Sequence, residues 1–498
     1  MALIAMDGFD KYGAANSNST AVAALLTAGE WTSAGGSAVI VAPLSATGQA
    51  LRITTTMTVA KTLGASYARL IGGVRFSSDL TGTNCGVLFS DAGTAQASVS
   101  INSTTGLISI RNGGITGTAI ATSVVSVSAN TTHYLEWDVT FGNSAAFQVW
   151  LDGVSILSGS GDTTATANNT ANGIALASAS VVFATFDDLY LFDATGTTNN
   201  ASLLTSPRIE TQFPNADGAV QFAVGAAILG TSVPRVSGNV SSTANQWRVR
   251  PFTPTRNMTL NSVSFTCNAA SASVNLRPIV YTDSAGAPGT LMSAGSTVVG
   301  AVIGPVTMPL TTPQSLIAGT QYWLGLMCDI AVTSLMSSLE SGLTDRTATA
   351  TFASGAPGTA PANSTNGATV IWGNVTLASP VNWYEVSQNP TQGSSSYLFD
   401  PTIGHEDLYA FPALSAPPSA IYAVAVKASL SKSDAGAKTA SVRLKSGSTD
   451  SAGTGGTALA PGTSFGWMTS HYERDPNGNI AWTKTALDAA QAGVKVET

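Results

Sequence analysis

Three pairs of carboxylates stand close enough in the sequence to be considered for acid–base chemistry. Glu136 and Asp138 lie two apart in the alternating run HYLEWDVT. On a strand they share one face at about 7 Å, a separation that glycan hydrolysis could use. The same face could equally be a solvated polar one, and that reading is adopted. Asp187 with Asp188, and Glu406 with Asp407, are neighbours in sequence, and neighbouring strand residues point to opposite faces, so neither pair can act directly as a couple. His133, His405 and His471 are far apart and belong to no HxH or HExxH set, so each is expected to be structural.

Residues 462–466, GTSFG, have the G-x-S-x-G spacing of a nucleophile elbow. That elbow needs a buried strand before it and a long helix after it. Here Ala460-Pro461 precedes and Trp467-Met468 opens what reads as another strand, so the segment is expected to be a turn. Asp475, Asn477 and Asn479 alternate like a calcium loop but lack the bidentate Glu at loop distance, and they too read as a turn. No phosphate loop ending in Lys-Ser/Thr occurs. No catalytic residue, cofactor or metal ligand is assigned, and the chain is not expected to be an enzyme. Aromatic stacking remains. Trp372, Trp383 and Tyr384 flank segments that read as exposed and are the candidate glycan contacts, whereas Trp247 and Trp323 lie in strands and read as core; packing stays open for the whole set.

The elements that must position these residues are set by composition and pattern. At 498 residues the chain suggests about three domains on a ~150-residue prior. Charged residues make up 10%, against roughly 25% in an average globular protein. So little charge leaves little to repel a second copy, and a homo-oligomer is expected. With 28 acidic against 21 basic residues and no dense basic patch, nucleic acid is not an expected partner. Residues 1–12 lack the basic and apolar regions of a signal peptide. The longest apolar run, 219–233, is too short to span a bilayer and contains Gln221, so no membrane partner is expected. Of the three cysteines, Cys267 and Cys328 fall in one stretch and could pair; free packed thiols are the plainer reading, for them and for Cys85.

Short alternating runs recur over residues 1–195 with turn signals between them, at 37–42, 51–57, 69–76, 85–90, 98–102, 107–111 and 124–128. A clearer strand pair, 133–140 and 146–151, follows around the turn 141–144. This pattern indicates a sandwich or jelly roll. The stretch 181–218 then ends one domain and begins another: an alternating strand to Phe192, a Thr/Asn/Ser-rich linker over 193–206, the run RIETQF, and the turn PNADG. FDDLYLF at 186–192 is echoed by HEDLYAF at 405–411. The echo places a split β-rich domain at 206–219 plus 392–498, with 220–391 as an inserted jelly-roll module. Within the insert, strands are expected at 246–251, 260–267, 274–281 and 321–330, and a long exposed loop at 349–369. One short helix is expected near 487–491, capped by Thr483 or Thr485. The expected fold class is all-β, with multiple β-sandwich or jelly-roll modules and one short C-terminal helix.

Several of these pieces carry a resemblance. Phe186-Asp187-Asp188-Leu189-Tyr190, the turn Thr195 to Asn200, Arg208-Ile209-Glu210 and the turn Pro214 to Gly218 resemble a group of structural proteins from tailed bacteriophages. So do Lys432 to Gly436, Leu444 to Gly447, Ala481-Trp482-Thr483 and Gly493 to Val496. The hairpin at 133–157 resembles laminin-G or concanavalin-like jelly rolls, without the calcium-loop spacing of many such lectins. The insert, with Leu316 to Trp323 (LIAGTQYW), resembles carbohydrate-associated jelly-roll modules. The resemblance implies a structural virion protein, made in the host cytoplasm and carried on the particle as a tail fibre, tail-associated protein, head fibre or decoration protein. It implies a homotrimer that contacts other virion proteins. A host-glycan receptor-binding adhesin is the alternative, and a polysaccharide depolymerase stands behind it.

Overall fold

The computed structural model describes the chain except residues 1, 14, 16–18, 29, 35–37, 46–47, 196–202, 227, 231–233, 255, 268, 333–334, 339–343, 368, 378–381, 388–396, 415 and 454–459. The turn from Thr195 to Asn200 therefore lies almost wholly outside the described residues. About 58% of the chain is strand and 5% helix, so the protein is all-β. Chain contacts divide it into two units, Met1–Gln221 with Pro401–Thr498, and Phe222–Asp400.

The first unit is built on one long strand, Ala171–Asp193. Its sequence is a near-continuous run of small and apolar residues, which suits a strand covered on both faces, and Ile174, Leu176, Phe186, Leu189 and Leu191 are all buried. It pairs antiparallel with Ala50–Tyr67, Arg69–Ser78, Asn84–Asp91 and Leu3–Asp7. Ala50–Tyr67 and Leu3–Asp7 take successive stretches of one edge, Asn84–Asp91 and Arg69–Ser78 successive stretches of the other. The pairing slips after Ser178 and again between Asp187 and Tyr190, with Ser180 and Asp188 at φ 64° and 49°. Such irregularities bend a strand and re-aim its side chains. The first half of the strand thus joins Asn84–Asp91 and the second half joins Arg69–Ser78. Beyond Arg69–Ser78 lies His133–Thr140, paired in turn with Ala145–Leu151 as the sequence pattern indicates. Phe89 packs edge-on against Trp137 and Phe141 at 5.9 and 5.7 Å between ring centres, inside the sandwich core.

The C-terminal residues of this unit form a five-stranded sheet that runs from Ala216–Asp217 through Glu406–Ala410, Gln491–Val496 and Ala440–Ser446 to Thr449–Ser451. A separate antiparallel pair joins Val424–Leu430 to Gly466–Tyr472, with Ala440–Ser446 and Thr449–Ser451 of the five-stranded sheet between them in the chain. The C-terminal helix is Lys484–Asp488, a few residues earlier than expected, and Thr483 caps it by accepting the Ala486 N–H at 3.1 Å. It is not alone. Helices also form at Ser19–Ala28 and Asn382–Val386. The first buries Val22 and Leu26, one turn apart, but its other face is Ala and Thr. Without charge on that face, the apolar period has almost no contrast in the sequence.

In the second unit, Ala287–Ala294, Ser271–Ser284, Tyr322–Cys328, Gln246–Phe252, Thr344–Thr349 and Ser364–Gly367 form one sheet. Met258–Cys267 leads a second, flanked by Ile371–Leu377 and Gly304–Leu316. Leu260, Val263 and Phe265 of one sheet share a core with Leu276, Val280, Leu324 and Leu326 of the other. Ala223–Ala226 and Tyr397–Phe399, near the two ends of the unit, pair with each other. The segment 349–369 is largely exposed, as its Gly/Pro/Ala-rich composition suggests, but it is not all loop. Phe352 is buried over Trp247, Tyr281 and Trp323, and Ser364–Gly367 is a strand. Small residues here permit close approach to an aromatic face, which composition alone does not distinguish from exposure.

Candidate functional site

The charged residues of the first unit are drawn into contacts between segments. Glu136 is fully buried, and its Oε1 accepts the Tyr190 hydroxyl at 2.6 Å and the Leu204 and Thr205 N–H groups at 3.1 Å each. The face expected to be solvated is therefore covered, because the connecting segment 204–211 lies across it. Asp138 is taken up by a two-pronged bridge to Arg69 at 2.7 and 2.5 Å. Asp188 accepts Arg75 Nε and the Ile209 N–H, both at 2.8 Å, while Asp187 accepts the Leu44 N–H at 3.0 Å. Asp10 accepts the Gln49 N–H at 2.6 Å and the Thr211 N–H at 3.3 Å.

Three buried or half-buried carboxylates, Glu136, Asp188 and Asp10, thus staple four backbone N–H groups of one strap. The strap needs them. Thr205 and Ser206 are consecutive non-glycine residues at φ 51° and 62°, a conformation that costs energy and persists only where surroundings impose it. Leu204 supplies the apolar anchor, packed with Leu3, Ile71, Tyr134, Tyr190 and Phe192. Gly73 lies beneath, where a Cβ would stand 2.7 Å from both the Tyr134 and Tyr190 rings, so the two tyrosines can close only over glycine. Burial raises the carboxyls: Asp187 to about 7, with the charge of Asp188 adding to it, and Asp10 to about 6. Burial also raises Glu136 and Asp188 above the usual carboxylate range.

A second cluster centres on Glu30. Its carboxylate meets Lys11 Nζ at 2.7 Å, the ammonium of Lys427, the Thr469 hydroxyl at 2.7 Å and Lys61 Nζ at 4.0 Å. Beside it Asp7 receives Lys11 Nζ, the Tyr12 hydroxyl and Trp31 Nε1, each at 3.0 Å. Lys427 and Thr469 belong to the C-terminal strand pair, so the cluster pins that pair to the sandwich. A third set fixes the ends of the insertion. Asp407 accepts the Gln221 N–H and, at 2.7 Å, the Tyr409 hydroxyl, while Glu406 N–H donates to Gln221 Oε1 at 2.8 Å.

In the second unit Arg248 and Arg250, both fully buried, converge on the buried Asp345 at 2.7 and 3.3 Å, and Thr369 adds two further bonds to it. Glu30, Lys427, Asp10 and this Arg–Asp–Arg set are not singled out by any motif. Their signal is context, since a charge set in an apolar run, as in AVAVKASL or QWRVRP, is uncommon in a chain with 10% charged residues.

Of the candidate glycan contacts, Trp372 is only 3% exposed and packs with Ile228 and Val370, so it is a core residue and not a stacking platform. Its strand, Ile371–Leu377, lies between two others. Trp383 is half-buried on the helix Asn382–Val386, with the Arg256 guanidinium 5.4 Å from its ring centre. The side chain of Tyr384 lies outside the described residues. Trp247 and Trp323 are core, as expected. All three cysteines are free and buried, so Cys267 and Cys328 do not pair. Residues 462–466 run through bends into the strand Gly466–Tyr472, with no helix after them, and the Asp475 carboxylate accepts the Asn477 N–H at 2.9 Å within a turn. Among the described residues no group of three or more His, Cys, Asp or Glu is placed to hold a metal ion, and no helix is long and apolar enough to cross a membrane.

No family model matches the chain, and no curated protein matches it. Several solved structures are similar to part of it. An endo-β-1,4-glucuronan lyase from the fungus Trichoderma reesei matches at 12% identity and TM-score 0.27, over 33% of this chain and 91% of its own. Alginate lyase Aly36B matches at 10% identity and TM-score 0.28, over 38% and 96%. The carbohydrate-binding module CBM66 from Bacillus subtilis matches at 12% identity and TM-score 0.25, over 32% and 94%. Similarity at this level bears on no activity or ligand of this chain.

Proposed function

We propose that the chain is a non-enzymatic structural protein of a tailed-bacteriophage particle, a surface appendage of fibre or decoration type that anchors through its first unit and projects the inserted sandwich. The observation that carries this reading is the double tether. The chain leaves the first unit at Gln221 and re-enters just before Glu406; the Glu406 N–H donates to Gln221 Oε1, and the Gln221 N–H donates to Asp407. Two anchored crossings hold an inserted module more firmly than one flexible linker does. The use of Glu136, Asp138, Asp187 and Asp188 as staples supports the same reading, because a carboxylate already holding backbone N–H groups or arginine is poorly placed to exchange protons with a substrate. Cryo-electron microscopy of the purified particle tests it. Density for this chain as a homotrimer in contact with other virion proteins is the expected result, and absence from the particle overturns it.

A host-glycan adhesin is the second reading, favoured by Trp383, an aromatic left half-exposed in the inserted unit with an arginine at its ring. Weak sites of this kind gain strength by multivalency. A glycan-array signal lost in Trp383→Ala supports it. Release of reducing ends from host capsule would instead establish a depolymerase.

A further inference from the structure

The C-terminal strand pair of Val424–Leu430 and Gly466–Tyr472 meets the N-terminal sandwich through polar groups. Lys427 and Thr469 are cross-strand partners, and Ala425 and His471 form a cross-strand pair two residues along. Alternation puts all four on one face. From that face Lys427 reaches Glu30 and donates to the Met6 carbonyl at 2.8 Å, and Thr469 donates to Glu30 at 2.7 Å. Just past the strand pair, Glu473 accepts the Leu3 N–H at 2.9 Å. Around Glu30 three ammonium groups, Lys11, Lys61 and Lys427, gather on two carboxylates, Asp7 and Glu30, with the Glu473 carboxylate further along the seam. The half-buried ring of His471 stands in the same field.

We propose that this strand pair is an acid-opened latch: protonation of His471 adds a positive charge beside Lys427 and Lys61 at the Glu30 seam and releases the pair from the sandwich. The groups facing His471 set the direction. Burial disfavours its charged form, Lys427 and Lys61 add to that, and only Glu30 opposes, so the ring is held down to about 4. A histidine whose docked value lies below its free value contributes docking strength that is complete above the free value and is lost as pH falls towards the docked one. The other groups do not reverse this. Burial opposes the charge on Asp7 and Glu30, but the lysines outweigh it and hold both below their ordinary range, so acid weakens them in the same direction. Burial pulls Lys427 down to about 8, so its contribution is constant below neutrality. Lys11 and Tyr12 are raised despite or through burial, and they titrate only at high pH.

Amide hydrogen exchange of the full chain at pH 7 and pH 5, corrected for intrinsic rates and at fixed salt, tests the latch. With His471 near 4 when docked and near the ordinary ~6.5 when free, docking should weaken roughly 20-fold between those pH values. Peptides over 424–430 and 466–472 should exchange faster by that factor, while 133–140 in the sandwich should not change. His471→Gln should abolish the ratio. The chain has three histidines, so the His471 imidazole is identifiable in a histidine-labelled NMR spectrum by its loss in the variant, and its titration should be depressed. Equal strand-pair exchange at both pH values overturns the proposal, as does an undiminished acid response in His471→Gln. If that variant does not fold, Lys61→Met, which removes a positive charge acting on His471 and leaves the Lys427–Glu30 bond in place, provides the check. Removing that charge should move the opening to lower pH, and an unmoved midpoint overturns the latch.

Discussion

Glu30 and Lys427 meet across 397 residues of chain, the ammonium of one end closing on the carboxylate of the other. The contact joins a loop that precedes the second strand of the sandwich to a strand pair near the C-terminus. Both partners are largely shielded from water, with side-chain exposures of 11% and 16%. The bond lies within the first unit, which comprises Met1–Gln221 and Pro401–Thr498.

Removing one partner of such a cluster should cost far more than removing both. Glu30→Gln leaves Lys11 and Lys427 without their shared carboxylate and is expected to destabilise the first unit by about 3–5 kcal/mol. The double variant Glu30→Gln with Lys427→Met should recover part of that loss. Urea denaturation midpoints of the three proteins check the order.

The strap at 204–211 should respond to pH in the sense opposite to the strand pair. Burial lifts Asp10 to about 6. A carboxyl raised in the folded state contributes stability that is complete below its ordinary value and is lost as pH rises through its folded one. Exchange protection of the Thr211 amide should therefore fall as pH rises from 4 to 7. Asp10→Asn, which keeps an acceptor but cannot ionise, should flatten that trend.

The two tryptophans separate packing from binding. Trp372→Ala empties a core position and should cost about 3–5 kcal/mol, read as a lowered thermal midpoint. Trp383→Ala removes a half-buried ring and should lower that midpoint by less than Trp372→Ala does. Any glycan signal that survives in the second variant is not carried by this aromatic.

Thiol chemistry should be silent in the native protein. Burial pushes Cys85 up to about 12 and Cys267 up to about 11, and Cys328 is also raised. The thiolate is the reactive form. Ellman's reagent is expected to modify no cysteine under native conditions and all three after denaturation, without prior reduction.

Alternation along the chain was enough to establish that it is all-β, because a period of two is written by each strand's own side chains. The hairpin of Leu135 with Leu151 follows from two such runs and a short turn. The helix cap was legible to within Thr483 or Thr485, since a cap acts on an amide three residues away, and Thr483 is the one that caps. The helix Ser19–Ala28 was not, because Ala and Thr give its two faces too little contrast. Nor could the sequence say that the face of Glu136 is covered. That depends on Leu204 and Thr205, 68 and 69 residues later, crossing one particular sheet. Trp372 and Trp383 stand eleven positions apart among similar neighbours, yet one is core and the other half-exposed. What local residues decide is the element; what the rest of the chain decides is which of its faces meets water. Burial, pairing and the ionisation of Asp10, Glu30 and His471 all follow from that second decision, because each depends on charges and surfaces that only folding brings near.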